Sequence, residues 1–501
     1  MNSVQVLRAL AVLGATGGLA SAEVRPIGSR LELFVDRYLI DRMDGVELRL
    51  AHPVDTGPVL RFDRPWEGPF SGYITMIRDG ERFRAYYRGK PTPGKDGADD
   101  EVTCLAESAD GVHWTKPELG IVDIGGSRRN NVILDKRYPT VSHNFTPFLD
   151  TRPGVPAAER YKALGGLFEM EGHSSSGGLM AFVSADGVHW RTLRDQPVLT
   201  RRHYNVRYTD TSSTPAFWSE AEGCYVAYLR TWMDDGRNTR VGWGGNIRWV
   251  GRTTSPDFVN WSEVEMMTFG DAPMEQLYSN TTSPYFRAPH IYIALTPRIV
   301  FGRPVVTAEE AAAIGIDPRY ARDQSEPVLI TSRGGAQYDR TFLEAFIRPG
   351  IGPENWTSRN NYPALNVVPT GAHEMSIYVQ SRYGQTDCAL RRYVLPFDRF
   401  ASVNAPFRGG EFTTHPLVFQ GRTLLLNFSS SIAGGIRVEI RDAEGKPLDG
   451  YTLADSVETV GNAVERPVTW KKGADVSSLS GKPVRLRFVM KEADLYALRF
   501  R

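Results

Sequence analysis

Ser108-Ala109-Asp110-Gly111-Val112-His113-Trp114 returns as Ser184-Ala185-Asp186-Gly187-Val188-His189-Trp190, and a degenerate third copy reads Ser255-Pro256-Asp257-Phe258-Val259-Asn260-Trp261. A weaker fourth is Ser332-Arg333-Gly334-Gly335-Ala336-Gln337-Tyr338. The copies stand roughly 70–80 residues apart, a longer period than that of most solenoid repeats. Asp-Gly supplies the positive backbone angles of a tight hairpin, and the aromatic that follows packs back against the sheet. The repeat is therefore a structural staple and carries no catalysis.

Outward from these turns the chain has strand character with period two. Tyr73-Ile74-Thr75-Met76-Ile77, a turn at Arg78-Asp79-Gly80-Glu81, and Arg82-Phe83-Arg84-Ala85-Tyr86-Tyr87 form one such pair. Phe217-Trp218 with Cys224-Tyr225-Val226-Ala227-Tyr228-Leu229, and Tyr285-Phe286 with His290-Ile291-Tyr292-Ile293-Ala294-Leu295, form two more. Each unit reads as a meander of about four strands, which is a propeller blade. The spacing predicts blades over 66–118, 138–195, 204–265, 272–340 and 356–400, with residues 30–50 as a lead-in strand that closes the ring against the last blade. Thr307 with Glu310 ahead of Ala311-Ala312-Ala313 is a capping box and predicts one short helix on the rim. From about Gly409 closely spaced strands predict a β-sandwich, whose last strand is Leu495-Tyr496-Ala497-Leu498-Arg499-Phe500. The expected fold is all-β: a five-bladed β-propeller over 23–405 and a C-terminal β-sandwich over 406–501.

Charge points away from nucleic acid and from anionic membranes, because 59 Lys and Arg nearly cancel 58 Asp and Glu in a chain of 501 residues. Arg8, the apolar stretch Ala9 to Leu19 and the small residues Ala20-Ser21-Ala22 read as a signal peptide, residues 1–22, and predict export to the periplasm or medium. Nothing else approaches the ~20 apolar residues that span a bilayer. Three cysteines, Cys104, Cys224 and Cys388, permit at most one disulfide and have no metal-like spacing. No metal motif and no glycine-rich phosphate loop is present, so no metal and no nucleotide cofactor is expected.

In a small propeller the first strand of each blade lines a central funnel, and polar residues at its start are the candidates for chemistry. Blade one offers Glu67 and Phe70-Ser71-Gly72-Tyr73, blade two His143, Asn144 and later Asp150, and blade three Asp210. Blade four offers Glu275, Tyr278 and Asn280, and blade five Arg359, Asn360 and Asn361. Cleaving a glycosidic bond needs one carboxylic acid to protonate the leaving oxygen and one carboxylate as base or nucleophile. Asp210 and Glu275 have that type and position. His143 and Asn144 suit hydrogen bonds to sugar hydroxyls, and Arg348 or Arg359 suits the carboxylate of an acidic sugar. Trp243, Trp249, Tyr278 and Tyr285 are candidates for a stacking platform.

The order of strand-start acid, aromatic hairpin, Ser-x-Asp-Gly-x-x-Trp turn and final sandwich resembles the five-bladed propeller glycosidases of glycoside hydrolase families 32 and 43, from about residue 30 to the C-terminus. Family 32 carries Arg-Asp-Pro in its third blade and Glu-Cys in its fourth. Here Asp210 lacks the flanking Arg and Pro, and Glu275 is followed by Gln276. The resemblance implies Glu275 as general acid and Asp210 as transition-state stabiliser or base. The family's first-blade aspartate would stand at Phe70-Ser71-Gly72-Tyr73, where no acid occurs, so Glu67, Asp36 or Asp150 would have to replace it. The sequence also resembles secreted propeller-plus-sandwich proteins of polysaccharide-degrading bacteria. Three functions follow as expectations: an exported glycoside hydrolase, a non-catalytic carbohydrate-binding protein, or a glycoside phosphorylase that needs a basic phosphate pocket beside its acid.

Overall fold

The structure is a computed structural model and describes residues 23–94, 97–135, 144–167, 177–203, 212–233 and 247–501. Five sheets of four or five strands form the blades of a propeller, and a sixth sheet of ten strands stands beside them. In blade one, Gly72–Asp79 is innermost, followed by Arg82–Gly89, Val102–Ser108 and Val132–Leu134. Thr146–Leu149 and Ala216–Ser219 are the inner strands of blades two and three. In blades four and five the inner position is shared by two short strands each, Gln276–Leu277 with Ser283–Tyr285, and Tyr362–Pro363 with Val368–Pro369.

The core is a set of wedges between blades. Tyr86 and Leu105 of blade one meet Phe145 and Phe182 of blade two, while Phe148 and Leu164 of blade two meet Tyr225 and Phe258 of blade three. Phe217 and Trp249 meet Tyr292 and Val328 of blade four. Alternate residues of each strand face opposite neighbours, so a blade in the ring is buried on both faces and its strands are apolar throughout, as the burial of all but the first residue of Arg82–Gly89 shows.

The repeated turn forms as read. Gly111 and Gly187 have φ of 75° and 74°, and in the degenerate copy Phe258 takes the same left-handed angle at 67°. Asp110 Oδ1 accepts from the backbone N–H groups of Val112 and His113, both at 2.8 Å, and Asp186 repeats the geometry with Val188 and His189 at 2.8 Å. The turns also bind neighbouring blades. Tyr86 Oη of blade one donates to the Gly187 carbonyl at 2.9 Å, and Tyr378 Oη of blade five donates to the Gly111 carbonyl at 2.6 Å.

Ring closure differs from the expectation. The strand that completes the fifth blade is Val54–Arg61, paired with Ala389–Pro396, while Leu365 bridges to Thr75 and closes the inner ring. Residues 30–50 instead join the ten-stranded sheet: Leu33 pairs with Ala497, Met43 with Phe412 and Leu48 with Val403. The reason is burial. Leu33, Phe34 and Leu39 bring apolar surface that needs a core, whereas Val54–Arg61 buries only Leu60 and behaves as an edge.

The strands expected from Gly409 onward therefore belong to a sheet built from both ends of the chain, with Leu424–Asp442 and Pro483–Phe500 paired along most of their length. Val484, Leu486, Phe488 and Met490 point alternately into its own core around Trp470, Phe412 and Phe428. Ala497, Leu33 and Leu50 belong to a second cluster with Tyr285, Phe346 and Met375 of blades four and five. Arg333 ties the two units ionically, reaching Glu32 and Asp36 at 2.7 Å each. The rim helix is Ala308–Ala313, with the capping box between Thr307 and Glu310 in place. All three cysteines are unpaired, and among the described residues no helix is long and apolar enough to cross a membrane.

Candidate functional site

At the end of the ring where the inner strands begin, blades four, five and one bring together tyrosines and arginines. Tyr278 follows Gln276–Leu277, Arg359 precedes Tyr362–Pro363, and Tyr73 is the second residue of the first inner strand. The Tyr278 and Tyr362 ring centroids are 5.2 Å apart. The Arg359 guanidinium lies 5.7 Å from the Tyr278 ring, 5.7 Å from Tyr320 and 6.0 Å from Tyr383. Arg88 stands over Tyr73 at 4.5 Å, and Arg230 and Arg248 stand over Tyr278 at 4.4 and 5.0 Å. Phe70, Tyr320 and Tyr383 form a mutually packed aromatic trio, with centroids 5.6–5.8 Å apart. These contacts make one polar-aromatic cluster, called the mouth below, in which Tyr278 and Tyr362 are each 6% exposed while Tyr73, Tyr320 and Arg359 are half-buried.

Backbone conformation at the inner-strand starts is unusual. Tyr73, Asn144, Arg359, Asn361 and Arg382 all have positive φ, from 53° to 61°, which L-residues adopt only when their surroundings hold them there. Asn360 provides such a hold. Its Oδ1 accepts from the N–H groups of Asn361 at 2.9 Å and Arg382 at 2.6 Å, and its Nδ2 donates to the Glu354 carbonyl at 3.2 Å. Gly72 is required for a different reason: a Cβ there would sit 2.1 Å from Gln380 Oε1. The tyrosines around Arg359, Tyr278 foremost, hold its guanidinium firmly charged, above the ordinary arginine range. Burial pushes the Tyr362 hydroxyl well above the usual tyrosine value, so it stays a proton donor.

Of the residues singled out in the sequence, Tyr278 and Arg359 meet in this mouth. Glu275 does not join them as a free acid. Its Oε1 accepts from Arg298 Nη1 at 2.6 Å and its Oε2 from Arg340 at 2.5 Å, so both oxygens are occupied by guanidinium groups. That arrangement is an ion-paired anchor, whereas a general acid needs an oxygen free to hold a proton and give it away. Asp150 is likewise structural: Lys162 Nζ and Tyr225 Oη donate to its Oδ2 at 2.8 and 2.6 Å, pinning blade two to blade three at the far end of the inner strand. Glu67 is fully buried with Lys116 at 2.6 Å and Tyr87 Oη at 2.6 Å, within blade one. Neither can contact a ligand in the mouth. Asp36, the third possible replacement for the first-blade acid, is held by Arg333 between the two units.

Asn280 donates to Tyr338 Oη at 2.9 Å and serves the wedge between blades three and four, and Asn360 is the loop clip described above. Asn144 is 2% exposed with neither amide atom partnered among the described residues, so its hydrogen-bonding capacity is unused by them. His143 and Asp210 lie outside the described residues, as does Trp243. Trp249 and Tyr285 are core residues, hydrogen-bonded to the Met267 carbonyl at 2.7 Å and to Asp398 at 2.8 Å, which leaves Tyr278 alone of the described platform candidates at the mouth. Arg348 lines a separate cleft of about 910 Å³ with Arg303 and Trp356. Sequence reasoning missed Arg88, Arg230, Arg248, Tyr320 and Tyr383. Among the described residues no group of three or more His, Cys, Asp or Glu is placed to hold a metal.

No family model and no curated protein matches the chain. Solved structures with a similar arrangement include one described simply as a glycoside hydrolase, at 11% identity and a TM-score of 0.46, covering 69% of this chain and 92% of that one. Another is the β-1,2-mannobiose phosphorylase of Listeria innocua bound to β-1,2-mannobiose, at 8% identity and a TM-score of 0.43, covering 70% and 97%. An N-acetylgalactosamine deacetylase from F. plautii in complex with blood group B trisaccharide is similar at 13% identity and a TM-score of 0.41, covering 70% and 96%. At these identities and scores the likeness says nothing of activity.

Proposed function

We propose that this protein binds a glycan across the Tyr–Arg mouth and cleaves a glycosidic bond there. The observation that carries the reading is the convergence of Tyr73, Tyr278, Tyr362 and Arg359 at the inner-strand starts. Sugar rings present C–H faces that stack on aromatic rings and hydroxyls that take hydrogen bonds from guanidinium and phenol, so a mixed surface of this kind suits carbohydrate. With Glu275, Asp150 and Glu67 engaged elsewhere, Asp210 is the carboxylate proposed for acid–base chemistry, on its place ahead of the third inner strand. Residues 1–22 support export as part of the same proposal, which cell fractionation tests directly.

The experiment is oligosaccharide cleavage followed by reducing-end release, beside calorimetric binding. Tyr278→Ala is expected to weaken binding, and Asp210→Asn to lower turnover by about 10²–10⁴-fold with binding intact. Cleavage that requires inorganic phosphate would replace hydrolysis by phosphorolysis. A second reading, glycan binding without cleavage, is favoured by the ion pairing of Glu275; wild-type protein that binds but turns over no glycan selects it.

A further inference from the structure

We propose that the mouth is built for an acidic glycan, with the Arg359 guanidinium receiving the carboxylate of a uronic-acid residue. The proposal rests on the carbohydrate reading above and narrows it to a substrate class. Among the described residues no carboxylate stands within ion-pair distance of Arg359 and no oxygen accepts a hydrogen bond from it. The acids of the adjacent loops are already taken: Glu354 and Asp387 pair with Arg382 at 3.2 and 2.8 Å. Tyrosine faces keep a guanidinium charged and in place, but they accept none of its five N–H groups. A half-buried cation whose donors the described residues leave unspent is costly unless an anion or water arrives from outside.

Two independent features point to a ligand. Arg359 has φ 61° and directly precedes Asn360, whose side chain ties the Asn361 and Arg382 N–H groups and the Glu354 carbonyl together, so it stands on a cross-linked stretch of backbone. Beside it, Tyr362 is 6% exposed, and its hydroxyl has no partner among the described residues although its ring packs on Tyr278 at 5.2 Å. One such guanidinium and one neutral phenol suit a planar monoanion, which a guanidinium binds through two parallel hydrogen bonds. Stacking on Tyr73, a half-buried ring of the same cluster, would place the sugar ring that carries it.

The test is calorimetry with the full chain, using oligogalacturonides and glucuronate-containing oligosaccharides against the same sugars with their carboxyl groups reduced to alcohols. Wild-type protein is expected to bind at least one acidic sugar about tenfold or more tighter than its reduced form, which corresponds to about 1.4 kcal/mol. Raised salt should shrink that difference. Arg359→Gln is expected to abolish the preference, so that acidic and reduced forms bind alike, and Arg359→Lys, which keeps charge without the fork, to restore part of it. Tyr362→Phe, which removes one hydroxyl and no ring, should reduce acidic-sugar affinity and serves if the arginine variants do not fold. Equal affinity for acidic and reduced sugars, a preference that survives Arg359→Gln, or inorganic phosphate binding at Arg359 with no preference between the sugars overturns the proposal while the carbohydrate reading stands. Failure of every sugar, acidic or neutral, overturns both.

Discussion

Glu275 and Arg359 show what a sequence discloses about a single side chain and what it withholds. Both stand at inner-strand starts, and both are identifiable as candidates by type and place. Direction is the missing quantity. Alternation assigns faces only where the backbone is extended, and Tyr73, Asn144, Arg359 and Asn361 have positive φ, which breaks the period at the residues that matter. Arg88 is hidden for another reason: it sits at the end of a second strand and reaches the mouth because register sets it opposite Gly72. Glu275 is expected to behave as an anchor. Glu275→Gln should lower unfolding stability by about 1–3 kcal/mol, because Arg298 and Arg340 lose a charged acceptor, with turnover per folded molecule unchanged. Denaturant unfolding beside a steady-state assay checks this, and an orders-of-magnitude loss of turnover at unchanged stability would return Glu275 to the chemistry.

Among elements, the repeated turn is the most legible, since Asp-Gly and a following aromatic have few other uses. Its role as a bolt between blades is not legible, because Tyr378 and Gly111 are 267 positions apart. That role separates two glycines that look alike in sequence. Gly111→Ala would force a Cβ into a position at φ 75° and 2.7 Å from both Thr370 Cγ2 and Tyr378 Oη, whereas exposed Gly125 at φ 61° has open space around it. Gly125→Ala should cost only the left-handed penalty of about 1–2 kcal/mol, and Gly111→Ala clearly more, read as the difference in unfolding midpoint. The turn aspartates also predict an acid response. Hydrogen bonds from the His113 side chain and backbone hold Asp110 below the ordinary carboxylate range; at Asp186 burial works upward, but the same bonds from His189 outweigh it. Their contribution is complete above the unfolded-state value of about 3.9 and disappears as pH falls toward the lower folded-state values. Asp110→Asn with Asp186→Asn should therefore flatten the loss of stability between about pH 4 and pH 2. An acid limb as steep as that of the wild type would show that other carboxylates govern it.

For the whole molecule, the ring of blades can be counted from the repeat, but the interleaving of the chain ends cannot, because Leu33 and Ala497 pair across nearly the whole sequence. The lead-in residues therefore have no visible partner until the fold is known. A protein stopped near Ala405 would leave Leu33, Phe34 and Leu39 without the strands that cover them, and it is expected to be less soluble and less heat-stable than the full chain. Residues 406–501 alone lack the four N-terminal strands of their own sheet and Ala401–Ala405 as well, and are expected neither to fold nor to bind polysaccharide. A soluble, fully active truncated protein would show that the second unit is dispensable. A crystal structure with a bound oligosaccharide would show whether the mouth between blades four, five and one is where a glycan binds. A sugar ring against Tyr278, Tyr362 or Tyr73 with an oxygen on the Arg359 guanidinium is expected; a sugar seated in the cleft of Arg303 and Trp356, or on the ten-stranded sheet, would show that glycan binds elsewhere.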